Sequence, residues 1–78
     1  MSLSGTDKLV YMANQIGKAF ARQGGEKAIA ATLDHIEKFW DPRMRAQILE
    51  HLAASGGRGL EPVALEAVRR LPPVRKSA

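Results

Sequence analysis

Apolar residues recur at helical spacing along the first part of the chain. Leu9, Met12, Ala13, Ile16 and Phe20 fall on one stripe, while Lys8, Tyr11, Asn14, Gln15, Lys18 and Arg22 lie off it. This is the pattern of a half-buried helix. Thr6 or Asp7 is placed to cap its free amides, and Gly24-Gly25 marks its end. Gly17 lies within the helix. A glycine there lowers intrinsic helicity by about 1 kcal/mol relative to alanine, but its bare surface can admit a second backbone.

A second helix opens at about Glu26, an acid suited to the positive helix N-terminus. Its stripe is Ile29, Leu33, Ile36 and Trp40, with Thr32 and Phe39 on one flank and an outer Asp34/Lys38 pair four residues apart. Asp41-Pro42 stops this helix and starts the next. Proline disfavours helical geometry in the residue before it, aspartate is a strong N-cap, and proline suits the first helical position. The third helix is expected from Pro42 to about Ala53, with Met44, Ile48 and Leu52 inward and Leu49 beside them. The glycines of Ser55-Gly56-Gly57-Arg58-Gly59 supply a left-handed cap and a flexible loop. A short fourth helix begins at Pro62 and turns Leu60, Ala64, Ala67, Val68 and Leu71 inward, with Glu66 and Arg70 four apart on its outer side. Pro72-Pro73 ends it, and Val74 to Ala78 is expected to be disordered.

No strand pattern and no repeat is present. The pattern therefore predicts an all-α fold: a compact bundle of three main helices plus a short fourth C-terminal helix. Residues 1–71 form a single helical domain and residues 72–78 a basic flexible tail.

Composition changes this picture in one respect. A chain of 78 residues has one core and buries only about 60% of the surface its unfolded form exposes. Of its hydrophobic residues, twelve are alanines, so few large side chains fill that core. With no cysteine, neither disulfides nor thiolate metal sites add support. Well-formed helices and docking onto something larger are the remaining sources of stability. Met1 to Asp7 is short and polar, unlike a signal peptide, and no apolar run approaches the ~20 residues of a membrane span. The expected compartment is the cytoplasm.

The net charge of +4 and pI near 10 raise the question of nucleic acid. Arg69, Arg70, Arg75 and Lys76 account for much of the excess, which is therefore largely a property of the C-terminal end. Catalysis finds no constellation. His35 and His51 stand on different helices without the spacing of metal ligands, and His35, one turn before Phe39, fits the edge of the core. The loop at 56–59 follows a helix rather than a strand and lacks the Lys-Ser/Thr ending of a phosphate cradle.

The stretch from His35 to Arg45 stands out. It carries the only Trp, one of two Phe, the only Asp-Pro step and two arginines. Phe39 and Trp40 are adjacent and so point about 100° apart, which lets one join the core while the other reaches its boundary. Arg43 and Arg45 follow the corner at a helix N-terminus, where a cation opposes the macrodipole by about 0.3–1 kcal/mol. Some other group should compensate: Glu37 or Glu50 within the chain, or the carboxylates or phosphates of a partner. Phe39, Trp40, Asp41, Pro42, Arg43 and Arg45 are accordingly the candidate partner-binding residues, with Asn14 and Gln15 as outward amides on the first helix. Catalytic, cofactor-binding and metal-binding residues are assigned to none.

Lys8-Leu9-Val10-Tyr11-Met12-Ala13-Asn14-Gln15-Ile16, Asp34-His35-Ile36 and Lys38-Phe39-Trp40-Asp41-Pro42-Arg43-Met44-Arg45 resemble the delta subunit of NAD-dependent formate dehydrogenase. Leu60-x-Pro62 and Glu66-Ala67 fit the same pattern, and the resemblance spans about residues 7 to 71. It implies a non-catalytic accessory subunit of a cytoplasmic, molybdenum- or tungsten-dependent enzyme, supporting assembly, cofactor insertion or integrity of the complex. The large catalytic subunit would be the binding partner. The bis-molybdopterin guanine dinucleotide (bis-MGD) with its metal, the Fe-S clusters and the FMN would sit in partner subunits, none bound by this chain alone. Arg43 and Arg45 would be the residues to touch the pterin cofactor, if any do. In isolation, exposed aromatic surface could also pair two copies as a homodimer. The alternative reading is a small basic helical nucleic-acid-binding module built on the helix–turn–helix corner; few base-reading side chains beyond Arg43, Arg45 and Gln47 make nucleic acid unlikely as the partner, and no membrane contact is expected.

Overall fold

A computed structural model describes residues 5–74 of the chain. Four α-helices appear among the described residues: α1 (Gly5–Phe20), α2 (Gly25–Phe39), α3 (Pro42–Ser55) and α4 (Pro62–Arg69). A 3-10 turn, Ala21–Gln23, joins α1 to α2, and no strand occurs among these residues. The all-α expectation and all four helices hold. The tail expected to be disordered lies, from Arg75 onward, outside the described residues.

Local chemistry accounts for most boundaries. Pro42 and Pro62 occupy first-turn positions, behind N-caps in extended geometry at Asp41 and Glu61. Gly56 adopts the left-handed conformation at the end of α3 (φ 74°, ψ 12°), and its N–H bonds the Leu52 carbonyl at 2.8 Å. Gly57, at φ +88°, is buried, and a Cβ there would stand 2.6 Å from Leu65 Cδ1. Both conformation and space thus require glycine at that position. One boundary differs from expectation. α1 is already helical at Gly5, so Thr6 and Asp7 sit in its first turn rather than capping it, and Thr6 Oγ1 instead accepts from Gln47 Nε2 at 3.0 Å.

The core is Leu9, Ala13, Ile36, Trp40, Ile48, Ala64, Val68 and Leu71, closed by half-buried Val10, Ile16, Leu33, Met44, Leu49, Leu52 and Leu60. α4 is the element around which the burial turns. It lies against α2 and α1, and its contact side is small: Ala64, Ala67 and Val68. On α1 the buried row is Leu9, Ala13 and Gly17, and a Cβ on Gly17 would reach the Ala64 amide nitrogen at 3.4 Å. On α2 it is Ala28, Thr32 and Ile36, continued by Trp40. Both buried rows are therefore rotated from the expected stripes toward the smallest residues. Met12 is 39% exposed, and Phe20, Ile29 and Leu33 are half-buried. Close approach of a third helix gains more contact where side chains are short than where they are merely apolar. Thr32, fully enclosed, satisfies its hydroxyl by donating to the Ala28 carbonyl at 2.8 Å.

Candidate functional site

The corner between α2 and α3 is fixed by its own backbone chemistry. The Trp40 N–H closes α2 on the Ile36 carbonyl at 3.0 Å. Asp41 then turns extended, and its Oδ1 accepts from the Met44 N–H at 3.0 Å. This geometry divides the aromatic pair. Trp40 turns inward at 4% exposure, among Leu9, Ile36, Ile48 and Leu71 in the core cluster, whereas Phe39 stands 71% exposed. Of the two aromatics named as partner-binding candidates, Trp40 is therefore buried in the core and Phe39 is the one that faces out. Ile36 and Trp40 share one i, i+4 row, and that row is the one α2 buries.

Phe39 is not isolated. Tyr11 is 59% and Met12 39% exposed, and these three are the exposed large hydrophobic residues among those described. With Ile16, Met44 and the edge of Trp40 they line an open depression of about 460 Å³ between α1 and the end of α2. Gln15 and His35 complete its rim. The half-buried His35 ring lies between two phenyls, 4.6 Å from Phe39 and 6.1 Å from Phe20 by ring centroid. His35 therefore props Phe39 on the surface, a role at the edge of the core as its spacing predicts.

The arginines of the corner contrast with the other charges. Asp34 pairs Lys38 at 3.1 Å, Lys18 pairs Glu61 at 3.7 Å, and Arg69 pairs Glu66 at 3.6 Å. Arg70 grips Glu26 with both terminal nitrogens at 2.6 and 2.8 Å, and its Nε reaches Glu66 at 3.2 Å. The guanidinium holds the Glu26 carboxyl below its ordinary value, chiefly through the hydrogen bonds, and Arg70 is pushed above its own. Arg43 and Arg45 pair with no carboxylate among the described residues, Glu37 and Glu50 included. Arg45 is half-buried, and its Nε is enclosed without an acceptor. Arg43 is exposed and borders a second depression of about 610 Å³ with Gln47, Glu50 and His51.

Two further candidates make hydrogen bonds within the fold. Asn14 faces inward to the loop before α4, donating from Nδ2 to the Gly59 carbonyl at 2.9 Å and accepting the Glu61 N–H on Oδ1 at 2.8 Å. Its amide is spent within the fold rather than offered to a partner, because the chain returns to α1 just where two loop backbone groups lack mates. Asp41 is exposed but engaged as the α3 cap. Pro42 and Gln15 are exposed. Sequence reasoning missed Tyr11 and Met12. Tyr11 gave a signal, an aromatic on a polar helix face, whereas Met12 was assigned to the core stripe.

The loop at 55–59 is held by side chains of α3. His51 Nε2 donates to the Arg58 carbonyl at 2.7 Å, and Ser55 Oγ accepts the Arg58 N–H at 3.1 Å. The lack of cysteine leaves no thiolate for an iron–sulfur cluster. Among the described residues no group of three His, Asp or Glu is assembled as a metal site, and no helix is long and apolar enough to cross a membrane.

Comparison with known proteins gives one result. The family model described as NADH-dependant formate dehydrogenase delta subunit FdsD matches residues 8–68. No curated protein and no solved structure matches the chain.

Proposed function

Because the chain belongs to the family of NADH-dependent formate dehydrogenase delta subunits, we propose that it is a non-catalytic accessory subunit that binds the large catalytic subunit of that enzyme. Its binding surface is the face formed by Phe39, Tyr11 and Met12, flanked by Arg43 and Arg45. Its role is to support assembly, insertion of the pterin cofactor or integrity of the complex, in the cytoplasm. The cofactors belong to the partner subunits in this reading.

The observation that carries the proposal is the exposure of Phe39 beside Tyr11 and Met12. A small chain with few large apolar residues leaves three of them on one face, of the residue types enriched in interfaces. The nucleic-acid reading gains less. Among the described residues the cations without a carboxylate partner, Lys8, Arg22, Lys27, Arg43, Arg45 and Arg58, are distributed over α1, the 3-10 turn, α2, α3 and the following loop rather than along one stripe.

Co-expression with the catalytic subunit tests the proposal. Phe39→Asp should abolish co-purification while the circular dichroism of the isolated variant stays helical. Full retention of that folded variant, with full formate dehydrogenase activity of the complex, would remove this face from consideration.

A further inference from the structure

The docking face has a shape that restricts what can occupy it. Tyr11, Met12 and Ile16 of α1 form one wall, Phe39 of α2 the other, and Trp40 and Met44 close the corner end. From Tyr11 to Ile16 a helix rises about 7.5 Å, so the wall is between one and two turns long. Open apolar channels between two helices are filled by a third helix, whose side chains enter as a row at i, i+3 or i+4. Pairing by strand addition has no template, since no strand edge exists among the described residues.

Charge specifies the rest. Arg43 and Arg45 stand on either side of Met44 in the first turn of α3, and neither has a carboxylate partner among the described residues. Arg45 keeps Nε enclosed with no acceptor. Both oppose the helix dipole where they stand. A second copy of this chain is a poor occupant. Twofold pairing through one patch sets the same surface against itself, so four unpaired guanidiniums would border a single interface.

We propose that the groove receives an amphipathic helix of the catalytic subunit. Two apolar anchors one turn apart seat against Phe39, Tyr11 and Met12, and a Glu or Asp near one end of the helix pairs with Arg43 or Arg45. The inference rests on the functional reading above and adds the form and chemistry of the docking segment. A bidentate carboxylate satisfies a guanidinium in plane, which gives the segment its direction as well as its affinity.

A photoreactive benzoyl-phenylalanine in place of Phe39, in the purified complex, identifies the segment by mass spectrometry. The residue is exposed, so the replacement leaves the core intact. The expected crosslink falls in one helical segment of the catalytic subunit that carries anchors at i and i+4 and an acid within a turn of them. Arg43→Glu with Arg45→Glu should then weaken retention by more than ~10-fold, and reversing that acid to Lys should restore it. A crosslink into a loop or strand, or into a helix lacking the acid, overturns the inference while leaving the functional reading intact. A crosslink into a second delta chain, with no catalytic subunit retained, overturns both. Co-purification without any crosslink at Phe39 moves the interface elsewhere and also overturns the inference.

Discussion

The two ends of α2 meet the rest of the chain in opposite ways. At its N-terminal end, Glu26 is gripped by Arg70, which also holds Glu66, and the small residues Ala28 and Thr32 lie buried where α4 packs. Charge meets countercharge there, and the one fully buried hydroxyl has an acceptor. At the C-terminal end Phe39 is exposed, Arg43 and Arg45 have no carboxylate partner among the described residues, and one guanidinium nitrogen is enclosed without a mate. One end is complete within the chain. The other has the apolar surface and unmatched charge of half an interface, and the same residue type, arginine, is satisfied at one end and not at the other.

The largest expected effect separates the two aromatics of the corner. Trp40→Ala should cost about 3–5 kcal/mol in denaturant unfolding of the isolated chain, through a cavity in the core. Phe39→Ala should stay within about 0.5 kcal/mol, as for a surface change. Equal losses would mean that both rings belong to the fold and that the corner is not an open face.

Next comes the bond that ties the loop to α1. Asn14→Ala leaves the Gly59 carbonyl and the Glu61 N–H without their mate and should cost about 1 kcal/mol in the same measurement. Amide exchange at Glu61 should quicken with it. If instead Asn14→Ala preserves stability and weakens complex formation, the amide serves the partner after all.

The arginine contrast can be read in melting temperature. Arg70→Met should lower it, because Glu26 and Glu66 lose their shared cation. Arg45→Met should leave it unchanged or raise it, since an enclosed unmatched nitrogen is replaced by apolar surface of similar length. The same Arg45 variant should bind the catalytic subunit more weakly. A destabilised free chain would show that Arg45 has a structural role within the fold.

The smallest effect is a pH dependence. The Glu26 carboxyl is held below its ordinary value of 4.5 in the folded state by Arg70. A depressed carboxylate binds fewer protons folded than unfolded, so its contribution is present above the unfolded value and fades as pH falls through the folded one. Acid unfolding below about pH 4.5 should therefore be shallower in Arg70→Met than in the unchanged chain.

Legibility followed the range of the forces involved. Helix ends set by a side chain acting a few residues away were readable: Asp41-Pro42, Pro62 and Gly56 fall where expected. Ion pairs at i, i+4, Asp34/Lys38 and Glu66/Arg70, were readable for the same reason. The bidentate hold of Arg70 on Glu26, forty-four residues away, was not. Neither was Asn14, whose outward position on a lone helix becomes inward once the 59–61 segment returns beside it.

The amino-acid sequence by itself determined four helices, their order, the corner and the presence at that corner of aromatic bulk and paired cations. Those depend on backbone preference, capping and periodicity, all local. The tertiary structure decided how far the buried rows of α1 and α2 rotate from their apolar stripes. The buried rows run through the small residues Ala13, Gly17, Ala28 and Thr32, with Gly17 against Ala64 of α4, while Phe39, Tyr11 and Met12 stay exposed together. The exposed apolar face is thus a by-product of where another helix can come closest, a distance that no single helix encodes.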